Sequence, residues 1–230
     1  MKKYEFLLFD ADGTLLDYSA CEARAISLTM RRFGLEPDSG KVAAYSQLNR
    51  RYWDMIDSRE IARAEALERR FVEFFALYGV ECSGREAEDF YRERLAEGGM
   101  LLDGAAGLIG ALHGRYRMFI ITNGVMRSQT RRLKNSGLWE FFERVFISEE
   151  TGFQKPQPEF MDYAAARIPG FDPAAALIIG DSPTTDMALG RSCGIDTCFF
   201  DPEGRGFAPE AGFRPTYTVR SHAEIEELLK

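Results

Sequence analysis

The sequence predicts an α/β fold, a parallel-sheet core interrupted by an all-helical insertion. Three observations carry this reading. From about residue 117 onward, short apolar runs alternate with helical segments, the pattern of successive βαβ units. A single further strand candidate, "YEFLLFD" at 4–10, stands alone at the N-terminus. Between the two, residues from about 17 to 97 show helical periodicity only. The division that follows is a core of residues 1–16 and 98–230, with a helical domain of residues 17–97 inserted into it.

Each element has its own local signal. The first strand is an apolar run closed by the turn residues of "DADGT" at 10–14, which reads as a buried strand. Helical pattern begins at Ser19, where Glu22 three residues on makes a capping box, and Gly34 offers a stop. Periodicity continues through "VAAYSQLNRRYWDMI" and "REIARAEALERRFVEFFALYG". A second box, Ser83 with Glu86, opens "GREAEDFYRERLAEGG". After "LLDGAAGLIGALHGRY" the alternation starts, with a strand at 117–122 and a helix at 125–136 closed by Gly137. Then come a strand at 144–148, a helix at 158–168, a strand at 176–181, a helix at 184–192 and a strand at 196–200. A short "TYTV" strand and a helix from Ser221, boxed by Glu224, finish the chain.

Composition narrows the function. The chain has 230 residues, 45% of them hydrophobic and 28% charged, enough for a sizeable core and unlike a disordered segment. The net charge of −7 argues against a nucleic-acid polymer as partner, because no basic stripe exists to displace counterions. The basic pairs Arg69-Arg70 and Arg131-Arg132 lie in helical patterns beside acids and read as solvated helix faces. Four cysteines form no metal-binding spacing, and the two histidines, His113 and His222, stand far apart, so zinc or histidine catalysis is not expected. No apolar run is long enough for a signal peptide or a membrane span, so a cytoplasmic location without a membrane partner is expected. The chain is expected to be a monomer or small homo-oligomer.

In an open parallel sheet, functional groups gather beyond the carboxyl ends of the strands. Reading only those ends gives Asp10 and Asp12 after the first strand, and Thr122, Asn123 and Gly124 after the second. A later strand ends in "IIGDSPTTD", which presents Asp181 and Asp186, and Lys155 lies between in "GFQKPQPEF". Each has a plain structural reading. Asp12 can belong to an Asp-Gly turn, Thr122 to Gly124 to another turn, Lys155 to an exposed loop, Asp181 to a helix N-terminus and Asp186 to a solvated face. Their coincidence at successive exits of one sheet favours a site. Several carboxylates with a hydroxyl and one lysine suit a hard, oxygen-liganded cation such as Mg²⁺, with the Thr, the Lys and turn N–H groups facing phosphate oxygens.

"FDADGTLLD", "ITNG", "QKPQPEF" and "GDSPTTD", in this order, resemble the four motifs of the haloacid-dehalogenase-like (HAD) phosphatases. The resemblance implies a Rossmann-like core with a helical C1-type cap, Mg²⁺ as cofactor and a small phosphomonoester as substrate. It implies that Asp10 is the nucleophile forming an aspartyl-phosphate, and that Asp12 is the general acid and then base. Thr122 and Lys155 would bind phosphoryl oxygens, and Asn123 would add mainly its backbone N–H. Asp181 would ligate the metal with the Asp10 carboxylate and the Asp12 carbonyl, and Asp186 would orient a water on the metal or Lys155. Asp12 separates phosphatase from dehalogenase, since a halide leaves without a proton.

Motif one, "ISEETGFQKPQPEFMDYA" and "YSQLNRRYWDMIDSREI" further resemble the YjjG-type pyrimidine 5′-nucleotidases. The helical domain offers Tyr45, Tyr52 and Trp53, a surface suited to a flat neutral ring, although Tyr52 and Trp53 read rather better as residues packed within the helical domain. A phosphoglycolate or sugar-phosphate phosphatase and a β-phosphoglucomutase-like phosphotransferase stand as alternatives. A non-catalytic phosphate-binding module would not need both Asp10 and Asp12.

Overall fold

The computed structural model describes residues 4–207 and 214–230. Its elements run β1 (Phe6–Phe9), α1 (Tyr18–Arg32), α2 (Ser39–Asp57), α3 (Arg63–Ala76), α4 (Gly84–Ala96) and α5 (Ala105–Leu112). They continue with β2 (Arg117–Thr122), α6 (Met126–Asn135), β3 (Arg144–Ile147), α7 (Ser148–Thr151), α8 (Pro158–Ala165) and β4 (Ala176–Gly180). A π-helical turn at Pro183–Met187 leads into α9 (Ala188–Cys193), followed by β5 (Asp196–Phe200), β6 (Tyr217–Val219) and α10 (His222–Leu228). The chain forms two compact units, Met1–Asp17 with Gly99–Lys230, and Tyr18–Gly98.

In the first unit all strands are parallel, in the order β3-β2-β1-β4-β5-β6. The sheet is buried on both faces, so its central strands are apolar throughout and their alternate residues serve two cores. Leu7, Phe9, Met118, Ile120, Leu177 and Ile179 face one core, shared with Leu108, Ile109, Leu133 and Ile225 of α5, α6 and α10. Phe6, Leu8, Phe119, Ile121, Ala176 and Ile178 face the other, with Phe160, Met161 and Leu189 of α8 and α9. The chain winds from β1 outward to β3, then returns to β4 on the far side of β1. The reversal puts a crevice at the carboxyl ends of β1 and β4.

Several expected boundaries move, each for a tertiary reason. The first helix starts at Tyr18, so Ser19 lies inside its first turn and is not the cap. Residues 15–17 pair antiparallel with 100–102, through Asp17 N–H to Met100 O at 2.9 Å and Leu102 N–H to Leu15 O at 2.9 Å. That pairing delivers the chain into the helix without a local capping box. The third helix begins at Arg63, not at Arg59. Arg59 takes a left-handed conformation (φ 62°) that closes α2, with Glu60 N–H bonding Met55 O at 2.9 Å. Helices α5 and α7 carry too weak a pattern to be expected. Ser83 and Ser221 do cap their helices, accepting from the N–H groups of Glu86 and Glu224 at 3.3 Å.

The helical unit overturns one reading of charge. Arg70 is buried, not solvated. Its guanidinium bonds Glu88 and Asn49, donates to Leu67 O at 3.3 Å, and lies over the rings of Phe71 and Tyr91. Asn49 also donates to Tyr18 OH at 3.0 Å. The aromatic residues are packing residues as well. Tyr45 is fully buried against Phe71, Phe74 and Tyr91, and Tyr52 is buried with its hydroxyl on Glu73 at 2.8 Å. Neither offers a free face to a ring, which corrects the expectation for Tyr45 and agrees with the packing reading of Tyr52; Trp53 is half-buried, with the Arg63 guanidinium 5.9 Å from its ring centroid. Among the described residues no helix is long and apolar enough to cross a membrane.

Candidate active site

The crevice at the ends of β1 and β4 collects the expected side chains. Asp10 follows β1 directly and extends its pairing with β4 through Asp10 N–H to Ile179 O at 2.8 Å. The chain then turns sharply, with Ala11 O accepting the N–H groups of Leu15 and Leu16 at 3.0 and 2.8 Å. Gly13 sits in this turn at φ +80°, and a β-carbon there would come within 2.6 Å of Asp181 Oδ2. Only glycine lets the turn carrying Asp12 approach Asp181 this closely.

Lys155 is 2% exposed and is the centre of the site. Its Nζ donates to Asp10 Oδ1 at 2.6 Å, to Asp186 Oδ1 at 2.6 Å and to Ile121 O at 2.9 Å. These three acceptors match the three hydrogens of an ammonium group. All three hydrogens of the Lys155 ammonium are thus engaged by protein acceptors. Its backbone is clamped by Asn123, whose Oδ1 accepts Lys155 N–H at 2.8 Å and whose Nδ2 donates to Lys155 O at 2.9 Å. The Asn123 side chain thus fixes the lysine loop on β2, a role the sequence reading did not assign.

Asp186 is fully buried, and its second oxygen accepts Ser182 N–H at 3.2 Å. It is not on a solvated face. Burial pushes the Asp10 carboxyl well above its ordinary range, opposed by Lys155 and reinforced by the charges of Asp186 and Asp181. Burial also works to lower the Lys155 ammonium, but the carboxylates of Asp10 and Asp186 outweigh it and hold the pKa above its ordinary value. Asp181 is pushed up to about 7, first by burial and then by Asp186, with Lys155 and Arg205 opposing.

Oxygens of Asp10, Asp181 and Asp186 lie within 4.8 Å of one another. Three carboxylates cluster here, and burial together with their mutual charge raises Asp10 and Asp181 against the opposition of Lys155 and, at Asp181, of Arg205. An all-oxygen donor set of this kind fits a hard divalent cation.

Asp12 points elsewhere. Its Oδ2 accepts from Gln129 Nε2 at 2.9 Å, and its Oδ1 pairs with Arg132 Nη1 at 2.6 Å. Gln129 Nε2 also donates to Thr122 Oγ1 at 3.0 Å, and Arg132 Nη1 donates to Gln129 Oε1 at 2.9 Å. Gln129 and Arg132 are both buried, which corrects the solvated reading for Arg132, whereas Arg131 is exposed as expected. A signal was available. Gln129, Arg132 and Leu133 are spaced i, i+3, i+4 on one face of α6, and Leu133 is the apolar residue of that face.

The sequence profile of the haloacid dehalogenase-like hydrolases matches residues 4–194. The chain is 40% identical to the HAD hydrolase YfnB of Bacillus subtilis over 229 residues, covering 100% of this chain and 97% of that one. The crystal structure of YfnB bound to magnesium superposes with a TM-score of 0.95, at 39% identity and full coverage of both chains. Identity is 35% to the pyrimidine 5′-nucleotidase PynA of Streptococcus pneumoniae, over 98% of this chain and 95% of PynA. It is 30% to the pyrimidine 5′-nucleotidase YjjG of Escherichia coli, over 99% and 98% of the two chains. Likeness of this extent joins the motif order to the topology that brings the motifs together, and this chain therefore belongs to the haloacid dehalogenase-like hydrolase family.

Proposed function

We propose that the protein is a Mg²⁺-dependent phosphomonoesterase acting on pyrimidine nucleoside 5′-monophosphates through an aspartyl-phosphate at Asp10. The observation that carries the chemistry is the buried Asp10–Lys155–Asp186 array with Asp12 two residues beyond the nucleophile. Lys155 holds one oxygen of Asp10, which fixes the carboxylate for attack by the other. Attack forms a bond from Asp10 to phosphorus while the bond to the leaving oxygen breaks, and Asp12 supplies the proton that oxygen needs. Asp12 then takes a proton from water as water attacks phosphorus, which returns Asp10 as a carboxylate. Thr122 and the backbone N–H of Asn123 receive phosphoryl oxygens, and the positive charge of Lys155 offsets theirs. The carboxylates of Asp10 and Asp181 and the backbone carbonyl of Asp12 would hold Mg²⁺, which when bound would supply the remaining positive charge against the phosphoryl group. Asp186 orients Lys155.

The pyrimidine part rests on the likeness to PynA and YjjG, and the helical unit Tyr18–Gly98 is read as the cap that selects the leaving group. A cytoplasmic place and a monomer or small homo-oligomer belong to the same reading. The deciding experiment is phosphate release from UMP, dTMP, AMP, GMP, phosphoglycolate and glucose phosphates under one condition with Mg²⁺. UMP or dTMP is expected to give the highest kcat/KM. A purine nucleotide or sugar phosphate ahead by about tenfold would remove the nucleotidase assignment and leave the phosphatase one. Release of little inorganic phosphate with transfer to a sugar hydroxyl would support a phosphotransferase instead.

The metal has its own test, with the sign set by Asp181. In metal-free protein the folded state keeps a proton on Asp181 up to about pH 7, whereas the unfolded chain gives it up near pH 4. Over that window the folded state binds more protons than the unfolded one, so stability falls as pH rises. A cation bound at the carboxylate displaces the proton and removes the loss. The rise in Tm on adding Mg²⁺ to EDTA-treated protein is therefore expected to grow between pH 5 and pH 8. An equal shift at both pH values would contradict binding at Asp181.

A further inference from the structure

Gln129 is a buried amide with every hydrogen-bonding atom used. Its two Nε2 hydrogens go to Thr122 Oγ1 at 3.0 Å and Asp12 Oδ2 at 2.9 Å, and its Oε1 accepts from Arg132 Nη1 at 2.9 Å. The neighbours dictate this orientation. A flipped amide would set Oε1 against a carboxylate and Nε2 against a guanidinium. Gly124 makes room for it, since a β-carbon there would lie 2.2 Å from Gln129 Cγ.

The consequence falls on Thr122. Its Oγ1 accepts from Gln129 Nε2 and, at 3.2 Å, from Gly124 N–H. Both lone pairs of the hydroxyl are then occupied, and its one hydrogen can only be donated away from these partners. The same Nε2 that donates to Thr122 donates to Asp12 Oδ2, which links the end of β2 to the turn that follows β1. We propose that Gln129 is a positioning residue of this site, which makes the Thr122 hydroxyl an obligate donor to the phosphoryl group and ties it to the Asp12 carboxylate. Arg132 anchors the far end of the same amide and faces the charge of Asp12. The inference rests on the phosphatase reading, and it adds that the donor polarity at β2 is imposed from α6.

The test uses the full chain with Gln129→Leu, Gln129→Glu, Thr122→Val and the double variant Thr122→Val/Gln129→Leu. The readouts are inhibition by inorganic phosphate and turnover of p-nitrophenyl phosphate. Leucine keeps the bulk and removes both donors, so phosphate binding is expected to weaken about tenfold, the worth of one hydrogen bond to a charged group. The double variant is expected to bind phosphate no more weakly than Thr122→Val alone, because Gln129 acts on phosphate only by orienting the hydroxyl that Thr122→Val removes. Glutamate keeps the shape but accepts from Thr122 and adds charge beside Asp12, so turnover is expected to fall at least about 100-fold. Phosphate binding by Gln129→Leu within twofold of the unsubstituted protein, or multiplicative losses in the double variant, would overturn the proposal. These affinities are read on folded protein whatever its Tm, and they do not depend on attack by Asp10. Failure of the phosphatase reading would show separately, as no release of phosphate from any phosphomonoester by the unsubstituted protein.

Discussion

Asp10→Asn is expected to abolish turnover, a loss of at least about 10⁴-fold in kcat, while the protein stays folded. The amide preserves the shape of the side chain and leaves an oxygen for the Lys155 hydrogen bond that now measures 2.6 Å. It removes the nucleophile, since an amide oxygen does not form a stable ester with phosphorus. Stability should change little or rise. Burial and the charges of Asp186 and Asp181 all work against an ionised Asp10, and only Lys155 favours it. A neutral side chain therefore relieves repulsion on one side and weakens one ion pair on the other. The measurement is single-turnover kinetics on protein shown to be free of contaminating phosphatase, with Tm recorded in parallel. Retention of turnover near that of the unsubstituted protein would refute the assignment of Asp10.

Lys155→Met is expected to be damaging twice over. Methionine fills most of the volume, but it leaves Asp10 Oδ1, Asp186 Oδ1 and Ile121 O without the donor that satisfies all three. Removing one member of a buried charge group costs about 3–5 kcal/mol, because the partners stay buried and uncompensated. Turnover should fall about 10³-fold or more, since the charge that offsets both nucleophile and phosphoryl group is gone.

The pH dependence of the stability loss in this variant distinguishes the charge from simple packing. Without Lys155, the influence that opposes the upward shift of Asp10 is absent. The folded state then holds protons that the unfolded chain releases above about pH 4, and stability falls as pH rises through that range. The Tm deficit relative to the unsubstituted protein should widen from pH 5 to pH 8. A deficit independent of pH would mean that Lys155 contributes packing alone.

Much of this was legible in the residues, and the reason is locality. Strand and helix order follows from hydrophobic periodicity and turn chemistry, which act over a few residues. The positions of Asp10, Asp12, Thr122, Lys155, Asp181 and Asp186 at strand exits follow from that order, because a parallel sheet aligns its carboxyl ends. The start of α1 was not legible, since the pairing of residues 15–17 with 100–102 sets it from far along the chain.

Helix α6 shows where local reading stops. Its sequence, MRSQTRRLKN, is almost wholly polar and looks solvated, yet Ser128, Gln129 and Arg132 are buried. The partner that makes this burial possible, Asp12, is 117 residues from Gln129 along the chain. Arg70 in the helical unit follows the same rule, with Asn49 and Glu88 as partners from two other helices. The sequence by itself determined the family, the sheet and which side chains stand at its strand exits. Only the tertiary structure decided which charges lie inside, that Lys155 has all its hydrogens engaged, and that Thr122 is left to donate. Burying a charge is favourable only where a distant segment brings its complement, and no local pattern records where that segment will be.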